Sequence, residues 1–272
     1  MRRSFAIALA GVALVAASAA QAGPLLFVHD ADNTLGTVDV ATGDVTIIGT
    51  MNMVGDEAIT DIAFDPDGNL FSVSFDNFYS INKNTGAATL IGAHGVSGPN
   101  ALVFRSDGTI FTAGFRDTNL STIDVNTGVA TTAFDMGFGS AGDLAFHDGK
   151  FYLAARIIGA DNELVEIDLD APSATSIGSF GFDAVFGLAT GSDGIILYGL
   201  AGTDVFKVDT LTGAGFDPVD YAGQGMTDSF GTSFFTEAGA TIGVPEPATV
   251  TLVGLGLFGV AWRARRSRPA AG

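Results

Sequence analysis

The sequence contains no cysteine among its 272 residues. Without thiols the chain can form no disulfide bond and no thiolate metal site, even where it is exported into an oxidising compartment. Its stability must therefore come from packing.

Basic residues are also scarce, because the chain has 12 lysines and arginines against 30 aspartates and glutamates. All of the acidic residues lie between residues 23 and 247, and only six basic residues share that stretch: Lys83, Arg105, Arg116, Lys150, Arg156 and Lys207. Nucleic acid is not an expected partner, since contacts to phosphate need a basic patch. A cation-rich or carbohydrate-rich setting fits this charge better.

Signatures of catalytic chemistry are lacking. The three histidines, His29, His94 and His147, lie in unrelated contexts without metal-ligand spacing, which predicts surface or loop positions for them. The sequence has neither a Gly-x-Ser-x-Gly nucleophile motif nor a Gly-x-x-x-x-Gly-Lys phosphate loop. On this basis we assign no residue a catalytic role.

Repeated strand and turn patterns, in contrast, fill most of the chain. In the unit from Ile59 to Gly92, Ile62 and Phe64 alternate with smaller or polar residues at the period of a β-strand. The Asp67-Gly68 pair then predicts a hairpin turn, because glycine tolerates the positive φ that a tight turn requires. Two further strands and the turn Asn84-Thr85-Gly86 complete a four-stranded meander of roughly 40 residues, which is typical of a propeller blade.

Two kinds of turn give the number of repeats. Asp-Gly pairs recur with steps of 40, 41 and 45 residues between the glycines, at Asp67-Gly68, Asp107-Gly108, Asp148-Gly149 and Asp193-Gly194. A Thr-Gly turn recurs at Thr42-Gly43, Thr85-Gly86, Thr127-Gly128 and Thr212-Gly213. The sequence therefore predicts an all-β fold, a β-propeller of five four-stranded blades over residues 23–243. A degenerate sixth blade around Phe216 to Phe235 is the alternative.

The first repeat has only three strands, because no inner strand precedes Leu25. The stretch Gly225 to Thr236 is left over after the fifth repeat, and its Thr227-Asp228 pair resembles Thr60-Asp61 of the second. A strand from the far end of the chain would complete the first blade and remove the exposed edges of an open array. We therefore expect this C-terminal strand to close the ring.

Inner strands place equivalent positions close to the axis of such a ring. Aligning the inner strands of the five repeats puts Asp61, Asp143 and Asp228 at one level along the axis. Ala101 and Gly187 occupy that level in the other two blades. Three carboxylates that face a common space repel one another unless they are protonated or bridged by a cation, and calcium accepts such oxygen ligands. These aspartates are therefore the candidate calcium site. The alternative is that each of them caps backbone amides nearby.

Residues 1–22 have the pattern of a signal peptide. Arg2 and Arg3 precede an apolar run from Phe5 to Ala17, and the small-residue site Ala20-Gln21-Ala22 follows. The mature chain is predicted to begin at Gly23. The paired arginines leave a twin-arginine export route open, although the general secretory route fits the pattern better.

Residues 244–272 differ sharply in composition from the rest. The box Pro245, Glu246 and Pro247 precedes an apolar run from Ala248 to Trp262, and the run ends in the cluster Arg263, Arg265, Arg266 and Arg268. As a helix the run is about 22 Å long, which is short for a permanent membrane span. The arginines mark its cytoplasmic end. An ordinary C-terminal membrane anchor is the alternative interpretation.

This combination resembles the PEP-CTERM sorting tail of exported proteins from Gram-negative, exopolysaccharide-producing bacteria. The resemblance covers residues 244–268 and includes the short glycine-rich helix with Gly254, Gly256 and Gly259. It implies recognition by an exosortase, removal of the tail near the Pro-Glu-Pro box, transient contact with the membrane, and a final place at the cell surface or outside the cell. The repeats are also similar to uncharacterised extracellular bacterial propeller domains, which implies no activity.

Two classes of function follow. The first, which we predict, is a non-catalytic surface or extracellular-matrix protein, an acidic binding or structural module with exopolysaccharide as its candidate partner. The alternative is a secreted polysaccharide lyase or hydrolase with its site at the mouth of the propeller channel. A glycosidase needs two carboxyl groups roughly 5 to 10 Å apart. A pair at that separation in the channel mouth would favour the enzyme.

Overall fold

The structure is a computed structural model that describes residues 23–192 and 194–239. The predicted signal peptide (residues 1–22), Asp193 of the fourth Asp-Gly pair and the predicted sorting tail (residues 244–272) lie outside the described residues. Regular structure in the described part consists of β-strands and one short 3₁₀ helix, Val54–Asp56. No helix in this part is long and apolar enough to cross a membrane.

The strands are short, at five to eight residues each, and alternate with turns along the whole described chain. In chain order they are β1 (Leu25–Asp30), β2 (Thr34–Asp39), β3 (Val45–Thr50), β4 (Ile59–Phe64), β5 (Leu70–Ser74), β6 (Asn77–Ile81), β7 (Ala88–Ala93), β8 (Pro99–Phe104), β9 (Ile110–Gly114), β10 (Asn119–Ile123), β11 (Ala130–Asp135), β12 (Ser140–His147), β13 (Lys150–Ala155), β14 (Glu163–Asp168), β15 (Ser173–Ser179), β16 (Val185–Thr190), β17 (Leu197–Ala201), β18 (Asp204–Val208), β19 (Gly215–Asp220) and β20 (Ser229–Phe234).

These strands form five four-stranded antiparallel sheets in the described part of the chain. The sheets are β20-β1-β2-β3, β4-β5-β6-β7, β8-β9-β10-β11, β12-β13-β14-β15 and β16-β17-β18-β19. Each inner strand (β4, β8, β12, β16 or β20) packs against the inner strand of the next sheet, and β20 packs against β4. The predicted propeller of five blades is therefore confirmed. The stretch from Phe216 to Phe235 contributes to β19 and forms β20 instead of a sixth blade.

The ring closes as expected, by a strand from the end of the propeller. Strand β20 pairs antiparallel with β1, from Leu26 opposite Phe234 to Asp30 opposite Ser229. The blade that begins the chain thus takes its inner strand from residues about 200 positions away, and the pairing hides the edge that β1 would otherwise expose.

One turn that occurs in every blade explains why the sequence pattern recurs at regular intervals. At the end of the third strand from the axis, an Asp or Asn side chain accepts a hydrogen bond from the backbone N–H two residues later. These residues are Asp39, Asn82, Asp124, Asp168 and Asp209. In four of the blades a glycine with φ between 77° and 81° completes the turn, which a residue with a Cβ would adopt only with strain.

The same turn holds neighbouring blades together. A Cβ added to Gly49 or Gly178 would lie 2.3 Å from the carbonyl oxygen of a threonine in the next blade's turn, and one added to Gly92 would lie 2.2 Å away. The outermost strands β3, β7 and β15 therefore approach the next blade backbone to backbone. Any side chain at these three positions would push the blades apart.

The inner strands all run in the same direction along the ring axis, so the axis has two distinct ends. We call the end at which the inner strands begin the entry mouth and the end at which they finish the exit mouth. The pairing registers place five residues at one level just inside the entry mouth. They are Asp61, Ala101, Asp143, Gly187 and Gly231. Below them the large residues of the inner strands, such as Ile62 and Leu102, are buried.

Candidate functional site at the ring axis

A cavity of about 480 Å³ opens at the entry mouth. Four phenylalanines line it: Phe75, Phe115, Phe186 and Phe230. The rings form two pairs, with Phe75 and Phe115 edge to face at 6.2 Å and Phe186 and Phe230 tilted at 5.3 Å between centroids. This volume is in the range of small-molecule sites, and a largely apolar wall is typical of them.

Two carboxyl groups lie one residue deeper along the strands. Asp61 on β4 and Asp143 on β12 are fully buried. Asp61 accepts the N–H of Ile62 at 2.7 Å and that of Leu102 in the next blade. The backbone of β4 and that of β8 are therefore joined through one side chain.

Asp143 makes the corresponding connection on the other side of the axis. It accepts the N–H of Leu144 at 2.7 Å and the N–H of Leu188 in the next blade at 2.8 Å. The hydroxyl of Thr232 on β20 donates to it at 3.2 Å. Asp143 thus connects three blades, and these hydrogen bonds are those of the amide-capping alternative.

The two carboxyl groups share a proton. Burial raises the pKa of Asp61 well above its usual value, and the negative charge of Asp143 with its hydrogen bond raises it further. Burial also raises the pKa of Asp143, as does the charge of Glu237, while the hydrogen bond from Asp61 opposes that rise. Because their mutual hydrogen bond raises the pKa of Asp61 and lowers that of Asp143, Asp61 is the donor in this pair.

Asp228 does not join this pair, so the predicted set of three aspartates is wrong. It is exposed and precedes β20, and the residue of β20 at the level of Asp61 is Gly231. A Cβ at Gly231 would lie 2.3 Å from Oδ1 of Asp61, so that position has no room for a side chain. Within residues 23–192 and 194–239, no three histidine, cysteine or acidic side chains are grouped to hold a metal ion.

His29 lies beside the aspartates, although the sequence predicted a surface or loop position for it. It is fully buried, and neither ring nitrogen makes a hydrogen bond to any of the residues that the structure describes. Its Nε2 lies close enough to Gly231 that a Cβ there would be 2.8 Å away. Burial lowers the pKa of His29 to about 4, so it is neutral at pH 7. His94 and His147 are buried as well, but His94 lies in the loop between β7 and β8, so the prediction is wrong for His29 and His147 and holds for His94 as a loop position.

Glu237 occupies the exit mouth, where no sequence pattern had indicated a functional group. Its carboxyl accepts the N–H of Thr190 at 3.2 Å and the hydroxyl of Ser233 at 2.8 Å. Burial raises the pKa of Glu237 to about 8. It follows the closing strand, so no repeated unit contains an equivalent residue to align with it.

The raised pKa of Glu237 predicts that the protein loses stability as the pH rises. The folded state keeps a proton that the unfolded chain releases above its ordinary pKa of 4.5, so this stabilisation is complete below pH 4.5 and is lost as the pH rises through about 8. One such proton contributes a slope of at most about 1.4 kcal/mol per pH unit. Urea unfolding between pH 4.5 and 8.5 should show Glu237→Gln to be the more stable protein at pH 8 and equal to wild type at pH 4.5.

The expected slope of Glu237→Gln is smaller than that of wild type but not zero, because Asp61 also keeps its proton. Glu163→Gln on β14, away from the axis, is the control and should retain the full slope. An identical slope in wild type and Glu237→Gln would show that this carboxyl is ionised throughout.

Comparison with known proteins gives a match at the C-terminus. Residues 243–266 match the PEP-CTERM protein-sorting motif. No curated protein matches the chain. The motif implies export across the inner membrane, sorting by an exosortase, and delivery to the cell surface or the extracellular space.

Solved structures resemble the propeller. A chain of a nidogen/laminin complex is 12% identical with a TM-score of 0.56, over 80% of this chain and 100% of that one. A protein of unknown function from Bacteroides caccae is 14% identical with a TM-score of 0.47, over 73% of each chain. Hydrazine synthase of Kuenenia stuttgartiensis is 16% identical with a TM-score of 0.45, over 62% of this chain and 53% of that one. The similarity to the chain of the nidogen/laminin complex supports the propeller fold. The fold and the sorting motif together indicate an exported, exosortase-sorted protein built on a five-bladed β-propeller.

Proposed function

We propose that this protein is a non-catalytic component of the cell surface or extracellular matrix that binds its ligand at the entry mouth. The observation that carries the proposal is the phenylalanine-lined cavity of about 480 Å³ above a floor in which Asp61 and Asp143 are held by backbone hydrogen bonds. An open cavity over a rigid floor suits binding, because the site needs no rearrangement to receive a ligand.

The carboxyl pair argues against the polysaccharide lyase or hydrolase. Asp61 and Asp143 are hydrogen-bonded to each other, whereas glycosidases hold their two carboxyl groups roughly 5 to 10 Å apart with the sugar between them. Both side chains are also occupied by backbone amides of adjacent blades. An acid that holds the ring together has little freedom to transfer protons to a substrate.

Exopolysaccharide remains the proposed partner in the matrix, in contact with the acidic outer surface and separate from the ligand of the entry mouth. The support is the sorting motif at residues 243–266 and the resemblance of its residues to tails from exopolysaccharide-producing bacteria. The acidic surface favours a neutral polysaccharide, or an acidic one bridged by divalent cations, over a bare polyanion.

The test is to follow the full chain in its own host with and without an intact sorting motif. Wild-type protein should be found in the surface or matrix fraction at the mass expected after loss of the segment beyond the Pro-Glu-Pro box. A variant with Pro245, Glu246 and Pro247 all replaced by alanine should keep its tail and remain in the membrane fraction. Uncleaved wild-type protein in the membrane would favour the plain anchor.

The same purified matrix protein tests the absence of catalysis. Incubated with the host's polysaccharide, it should sediment with the polymer and release no new reducing ends or unsaturated sugars. Release of such products, abolished by Asp143→Ala, would establish the enzyme instead.

A further inference from the structure

The six basic residues of the propeller differ in whether they form an ion pair with an acidic side chain. Three of the six form ion pairs, Arg105 with Asp107, Lys150 with Glu166 and Lys207 with Asp217. Lys83 donates to the carbonyl of Gly68 at 2.6 Å. The other two, Arg116 and Arg156, have no ion pair with any described residue.

Both free arginines lie at the entry mouth. Arg156 lines the phenylalanine cavity and also an adjoining depression of about 460 Å³, which Arg116 lines as well. The guanidinium of Arg116 is 5.2 Å from the ring centre of Phe115, within the range of a cation–π contact. The nearby carboxylate of Asp117 accepts the N–H of Asn119 at 3.0 Å. In a domain with 29 acidic residues, this pairing of arginines with an apolar cavity makes the entry mouth locally favourable for an anion.

The cavity wall is too poor in polar groups for a sugar. Thr60 already donates its hydroxyl to the carbonyl of Val73, and Asn100 donates its amide to the carbonyl of Ala141 at 2.7 Å. Among the described side chains that line this cavity, Oδ1 of Asn100 is the one buried acceptor without a partner. A sugar ring carries several hydroxyl groups, and each one buried here without a partner would cost binding free energy. An apolar body, in contrast, gains by leaving water for the four phenyl rings.

We propose that the entry mouth binds a small amphipathic carboxylate, with its apolar body in the phenylalanine cavity and its carboxylate at the rim against Arg156. Arg156 supplies a planar donor pair that matches a carboxylate, and its exposed position lets the charged end remain partly hydrated. Oδ1 of Asn100 can accept one donor from the body of the ligand. The inference rests on the proposed binding role but not on the matrix role.

Decanoate is the probe that tests this proposal, in calorimetric titrations of the full exported protein. Decanol and decyltrimethylammonium, which carry the same alkyl chain with no charge or a positive charge, are the reference compounds. Decanoate should bind about tenfold more tightly than decanol, because of the charge-assisted contact, and the cation should bind least. The preference for decanoate should weaken as salt is raised.

Two variants locate the site and one serves as a control. Arg156→Gln should weaken decanoate about tenfold and leave decanol unchanged. Ala58→Trp, at an exposed alanine of the cavity rim, should fill the cavity and abolish binding of both compounds. Arg105→Gln removes an arginine that is ion-paired near the exit mouth, and it should change neither affinity. Thermal melting of each variant checks that it is folded.

Equal affinity for decanoate and decanol in wild type, or an Arg156→Gln effect below twofold, would overturn the carboxylate specificity. Retention of decanoate by a folded Ala58→Trp variant would place the site elsewhere. Failure of decanoate to bind would contradict the proposed carboxylate site. It would leave the proposed matrix function standing, because that function is tested by recovery of the tail-processed protein in the matrix fraction.

Discussion

Replacing Asp143 by alanine is expected to cost about 3 to 5 kcal/mol of unfolding free energy, the range for breaking a buried charged network. The change leaves the amide of Leu188 and the hydroxyl of Thr232 without their acceptor at the ring axis. It also leaves the proton of Asp61 without a partner. Urea denaturation followed by circular dichroism at pH 6 measures the loss.

Asp61→Asn is the matched control for this prediction. The amide is neutral, as the protonated Asp61 is, and its NH₂ group can donate to Asp143 in place of the carboxyl proton. The NH₂ group cannot accept a backbone N–H, so one of the two amides that Asp61 accepts loses its partner, and we expect a cost of about 1 to 2 kcal/mol, below that of Asp143→Ala. A loss under 1 kcal/mol for Asp143→Ala would show that the axis tolerates an open polar gap and would contradict this account.

Deleting β20 (Ser229–Phe234) should abolish cooperative unfolding altogether. The deletion removes the inner strand of one blade, exposes the edge of β1, and opens the axis beside Asp61 and Asp143. The buried Phe234 leaves the core at the same time. The combined loss exceeds the 5 to 15 kcal/mol that stabilises a typical domain. The variant should aggregate through its open edge, which size-exclusion chromatography and a featureless melting curve would reveal.

A rescue experiment distinguishes ring closure from a general effect of shortening the chain. A synthetic peptide of residues 225–239 added during refolding should restore a cooperative transition, because it supplies the strand that pairs with β1. A peptide with Gly231→Val should not, since a side chain there would overlap Asp61. If the deletion variant melts like wild type, β20 is dispensable and the ring is held by other contacts.

Much of the fold was predictable from the sequence because the blades are defined by turns whose hydrogen bonds join residues close together in the chain. The turn that ends each third strand needs one Asp or Asn and, in four blades, one glycine within five residues, so it leaves a regular mark along the chain. The closing strand was predictable for a different reason. Three strands without an inner partner, and a strand-like stretch left over at the far end, have one pairing that leaves no edge exposed.

The site was predictable only in part. Asp61 and Asp143 follow the repeat and do meet at the axis, but the alignment of the closing strand was shifted by three residues, which exchanged Gly231 for Asp228. Strand β20 lies outside the repeat, with no hairpin turn directly behind it to fix the register. His29 is buried against β20 from the far end of the chain, and Glu237 contacts Thr190 of another blade. Neither contact is between neighbours in the sequence, so no local pattern predicts it.

The position at which the chain leaves the propeller gives the molecule an orientation. Gly239 lies at the exit mouth, beside the groove lined by Lys150 and Glu166. Eight residues, 240–247, separate it from the apolar run that begins at Ala248, a tether of about 30 Å when fully extended. While that apolar run lies in a bilayer, the exit mouth is the end of the propeller tied to the membrane, and the phenylalanine cavity is at the opposite end of the axis. A tethered molecule would therefore leave the entry mouth, the proposed binding end, accessible from the surroundings.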